Sequence, residues 1–132
     1  MMQQTSYGYS VVLGLDFKSA VEKVNSVLKG QGFGVLTTID VQAQMKEKLG
    51  KEMEPYLILG VCNPSLASKA LDAETEVGLL LPCNVIVYVR NGQSHVAVQR
   101  PKAMMALLSN VRLTEVAEEA EAKLKALLEN LS

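Results

Sequence analysis

The sequence predicts one α+β domain, an antiparallel sheet of about five strands with helices packed on one face to make two layers. Two observations carry that reading. Asn91-Gly92 sits between two alternating, valine-rich segments, and amphipathic stripes precede and follow this hairpin.

Tyr7 to Leu13 is rich in aromatic and β-branched residues and reads as the first strand. Asp16 then caps a helix whose apolar positions Phe17, Ala20, Val21, Val24, Val27 and Leu28 recur every three or four residues; Gly30 and Gly32 end it. Phe33 to Ile39 is a second strand, with Val35 and Thr37 expected on the same side as Phe33. Asp40 opens a short helix in which Val41, Met45 and Leu49 stack, and Gly50 stops it.

Tyr56 to Cys62 forms a third strand that is apolar on both faces, which places it centrally or beneath a partner. Asn63-Pro64 reads as a cap followed by proline at the first helical position, with Leu66, Ala67, Ala70 and Leu71 inward. Around Asn91-Gly92, a type I′ turn pairs Arg90 with Gln93, Tyr88 with His95 and Val85 with Val98, and by extension Cys83 with Arg100. Val85, Val87, Val89, Val96 and Val98 then share one face, which must be core. After Pro101, Thr114 is expected to cap a terminal helix whose stripe is Val116, Ala117, Ala120, Leu124, Leu127, Leu128 and Leu131.

A chain of 132 residues fits a single domain over residues 1–132. Apolar residues at 48% supply a core, and a net charge of −1 offers no field to recruit nucleic acid or anionic lipid. Every apolar run is far shorter than the roughly 20 residues that cross a bilayer, and no basic residue precedes an apolar stretch at the start, so neither membrane insertion nor export is expected. A cytoplasmic location follows, with Cys62 and Cys83 as free thiols.

The blocks Pro55-Tyr56-Leu57-Ile58-Leu59-Gly60-Val61-Cys62-Asn63-Pro64 and Gly78-Leu79-Leu80-Leu81-Pro82-Cys83-Asn84-Val85, in that order, resemble the domain-of-unknown-function 302 family of bacteria and archaea over nearly the whole chain. The resemblance implies a β-α-β(4)-α arrangement with extra helical turns, commonly as a dimer, and supplies no activity. It also implies an acidic residue before the proline that follows the last strand, where this chain has Arg100-Pro101.

Two candidate sites emerge. Cys62 lies at the N-terminus of the helix opened by Asn63, where unpaired N–H groups favour a thiolate, and Cys83 has Arg100 as its expected neighbour. Inert core thiols are the more ordinary outcome for both. The second candidate is the sheet face carrying Tyr56, Tyr88 and His95, with His95 expected to be a solvated strand residue stacked on Tyr88.

A Cys–His couple is not expected, since His95 lies about 16 Å from Cys83 along the ladder at roughly 3.3 Å per residue. One histidine and two isolated cysteines do not make a metal site, and no cofactor motif is present: Gly30-Gln31-Gly32-Phe33-Gly34 ends a helix instead of opening one. Glu115, Glu118, Glu119 and Glu121 read as a solvated helix face. The expectation is therefore a homodimeric module that binds a small ligand or partner, with a thiol-based redox or transfer protein using Cys62 and Cys83 as the alternative.

Overall fold

Alternating valines on either side of Asn91-Gly92 form a hairpin inside the sheet, and the remaining strands add to its two edges. In the computed structural model, which describes residues 1–131, the strands are β1 (Gln3–Gln4), β2 (Gly8–Leu13), β3 (Gly34–Asp40), β4 (Tyr56–Cys62), β5 (Cys83–Arg90) and β6 (Gln93–Gln99). The helices are α1 (Phe17–Gly30), α2 (Val41–Leu49), α3 (Pro64–Ala73), α4 (Pro101–Met105) and α5 (Thr114–Glu129). Short 3-10 turns cover Thr75–Leu80, Ala106–Leu108 and Val111–Leu113.

All strand pairs are antiparallel in the order β1-β2-β6-β5-β4-β3. The sixth strand, beyond the five expected, is the two-residue β1, which pairs Gln3 with Ser10 and Gln4 with Tyr9. Asn91 and Gly92 both take positive φ (54° and 75°), as a type I′ turn requires, and the hairpin runs in the expected register from Arg90–Gln93 to Val85–Val98.

Val85, Val87, Val96 and Val98 are fully buried and Val89 is half-buried. Ladder alternation puts Leu59 and Val61 of β4 and Tyr9 and Leu13 of β2 on the same side, where they meet α1 and α5. Ala20, Val24 and Leu28 of α1 and Leu124, Leu127 and Leu128 of α5 complete this core. A second apolar cluster joins Leu66 and Ala70 of α3, Met105 of α4 and Val116, Ala117 and Ala120 of α5.

Four local expectations are corrected. β3 carries a bulge between Val35 and Thr37, which pair with the successive residues Val61 and Gly60 and so lie on opposite faces. No residue of α2 is fully buried and Leu49 is 71% exposed; α2 meets the sheet at β4, and its Val41 and Met45 are only half-buried. Leu71 also faces out from α3. Thr114 is the first helical residue of α5 and caps nothing; Asn110 instead accepts from the Arg112 N–H and caps the turn before it.

Candidate functional site

β4, β5 and β6 place three rings in a row on the sheet face opposite the buried valines. Tyr56 pairs with Tyr88 and Tyr88 with His95, so their side chains project side by side. The Tyr56 and Tyr88 rings are stacked at 5.4 Å between centroids, and Tyr88 and His95 at 4.9 Å with planes only 9° apart. The Tyr88–His95 half of the stack was legible from the turn register; the Tyr56–Tyr88 half comes from the pairing of β4 with β5. The expected solvation of His95 is not met at Nε2, which is buried and has no hydrogen-bond partner among the described residues. An imidazole nitrogen deprived of both water and a partner costs free energy, on the order of 1–3 kcal/mol.

Apolar residues surround the rings, while Ser10, Asn84, Arg90, Gln93 and Gln99 share the same face toward its margins. Ile58 and Ile86 are half-buried beside the rings, and Val12 and Ile39 are 46% and 47% exposed. At the hairpin end, Tyr56 and Tyr88 border an open recess of about 580 Å³ whose charged members are Glu54 and Arg90.

Both thiols line another cavity, at the far end of β4. Cys83 pairs with Val61, the residue before Cys62, so ladder alternation offsets the two cysteines by one position. Both are free. Burial pushes the Cys83 thiol up to about 11, with nearby Cys62 adding to the effect and a hydrogen bond with Gln99 partly opposing it. Cys83 is therefore a neutral thiol near pH 7. Asn63 caps α3 by accepting from the Leu66 N–H at 3.2 Å, the role its position before Pro64 predicts. In native protein at pH 7, Cys83 should resist iodoacetamide over a period in which denatured protein is fully alkylated at both thiols; peptide mass spectrometry that finds native Cys83 labelled at that rate would contradict its burial.

Arg100 does not serve Cys83. The chain turns toward β2 after Gln99, where the Arg100 N–H donates to the Tyr7 carbonyl at 2.8 Å, and its side chain joins Glu121. Glu121 is buried and accepts from Tyr9 Oη at 2.9 Å, Arg100 Nε at 3.1 Å and the Lys102 N–H at 3.1 Å. The guanidinium also lies 5.3 Å from the Tyr9 ring centroid and donates to the Thr5 carbonyl.

Burial alone would raise the Glu121 carboxyl, but its three donors outweigh that and hold it below the usual range. Burial and the adjoining carboxylate raise Tyr9. Glu121 is thus no part of a solvated acidic face, although Glu115, Glu118 and Glu119 are exposed. Its position gave a signal: it falls four residues after Ala117 and three before Leu124, within the buried stripe.

Among the described residues no group of three His, Cys, Asp or Glu is placed to hold a metal, and no helix is long and apolar enough to cross a membrane.

A six-stranded antiparallel sheet with helices against its valine face defines a small α+β domain. The family model described as "Domain of unknown function DUF302" matches residues 9–131, and the chain belongs to that family. It is similar to an uncharacterized conserved DUF302 protein from Bacillus stearothermophilus whose crystal structure superposes with a TM-score of 0.90, at 31% identity, covering 97% of this chain and all of that one. No curated protein matches.

Proposed function

We propose that the chain is a non-enzymatic homodimeric module, and that a second copy covers the Tyr56–Tyr88–His95 face to enclose a small-ligand or partner site. The observation that supports this most is the three-ring stack on a sheet face where Val12 and Ile39 are 46% and 47% exposed. Tyr56 and Tyr88 supply flat apolar surface with polar tips, the kind of surface that packs against a second copy. The recess beside Glu54 and Arg90 gives a ligand room at the edge of the contact. Two free thiols suit a reducing compartment, and we place the module in the cytoplasm.

Light scattering at tens of micromolar protein, a rough working range, should return the mass of two chains. Ile86→Glu, which sets a carboxylate among the stacked rings, should return the mass of one. A wild-type chain that is monomeric under these conditions would remove the reading.

A further inference from the structure

We propose that the half-open cavity between the end of β4, α3 and α5 is a binding site for a small, uncharged, largely hydrocarbon molecule about the size of two fused rings. The site lies against the helical layer, so it goes beyond the sheet-face reading and does not depend on it.

The cavity has a structural origin. Where α3 and α5 face one another, Ala67, Ala70 and Ala120 stand at positions that larger side chains fill elsewhere in the core, and the space they leave is about 320 Å³. Phe33, Val61, Leu66 and Met105 supply further walls. No charged side chain lines it. Its polar members are Asn63, whose Oδ1 is already engaged by the Leu66 N–H, and the two cysteines. A water there finds few of the two to four hydrogen-bond partners that hold water in a protein interior, so hydrocarbon is the better occupant.

Size narrows the class further. An engineered apolar cavity of about 150 Å³ binds benzene, and this one offers about twice that space, within the range of natural ligand pockets. The mouth is apolar too: Leu36 and Leu71, both on the lining, are 65% and 47% exposed. A molecule entering between them would cover exposed leucine and reach the inner wall without parting the sheet.

The test uses 1-fluoronaphthalene, an uncharged two-ring probe, and the full chain at neutral pH. Its fluorine resonance should shift saturably with one probe per chain, and bound probe should slow alkylation of Cys62. Ala67→Phe, which puts a ring into the space, should abolish the shift while circular dichroism stays native. Leu71→Lys, an exposed change at the mouth that leaves the core intact, should weaken the shift if Ala67→Phe does not fold. Tyr88→Ala, on the opposite face, should leave it unchanged whatever it does to the dimer. Absence of saturable binding, or binding retained in folded Ala67→Phe, or lost in Tyr88→Ala alone, would overturn the assignment. So would an affinity that falls as protein concentration rises, because a second copy would then be filling the cavity.

Discussion

Glu121→Ala is expected to lower the unfolding free energy by about 3–5 kcal/mol, the usual cost of stranding one partner of a buried ion pair. The side chains of Arg100 and Glu121 are only 20% and 8% exposed, so water can compensate Arg100 only in part when the carboxylate goes. Tyr9 Oη and the Lys102 N–H lose their acceptor at the same time. Chemical denaturation of the variant measures the loss, and a change below about 1 kcal/mol would show that the network contributes no more than an exposed pair.

The same carboxylate ties stability to pH. Its folded value is lowered, so the stability it contributes is fully present above the ordinary carboxyl value of the unfolded chain. That contribution is lost as pH falls through the lowered folded value. Glu121→Gln keeps the shape and removes the titration, so its acid limb should be shallower than that of the wild type. Parallel acid limbs would refute the assignment.

Gly60→Ala is expected to cost about 1–3 kcal/mol through overpacking. A methyl group built at Gly60 would meet the Thr37 hydroxyl, which can rotate away, and Pro82 Cγ at 2.8 Å, which is held in a ring and cannot. The bulge in β3 contributes, since it brings Thr37 opposite Gly60. Thermal unfolding of Gly60→Ala alone and combined with Thr37→Ala separates the two contacts: if the proline sets the cost, removing the hydroxyl recovers little of it.

Local chemistry made much of the fold readable in advance. Asn91-Gly92 admits one turn geometry, and from it followed the ladder that sets Tyr88 beside His95; Asp16 and Asn63 cap their helices where oxygen-bearing side chains precede apolar stripes. Non-local features were less visible. The bulge at Val35–Thr37 is a choice of register between β3 and β4, and nothing in β3 alone announces it. α2 has the spacing of a buried stripe, yet Val41 and Met45 end only half-buried and Leu49 exposed, an outcome set by how α2 meets β4 and not by its own periodicity.

The candidate sites divide along the same line. Tyr56, Tyr88 and His95 came together because adjacent paired strands carry them, whereas Arg100 was drawn from its expected partner by Glu121 and Thr5, distant residues that no ladder connects to it. The buried state of His95 Nε2 depends on side-chain placement across the sheet, which alternation alone does not specify.

The pairing of β2 with β6 has a consequence for biosynthesis. β2 must wait for β6 to be translated before it can pair, and the α5 leucines that seal the valine face emerge later still. Until then the nascent polypeptide carries Tyr9, Leu13 and the β4 residues with no completed interior to receive them, so a holdase chaperone should find its substrate in this interval.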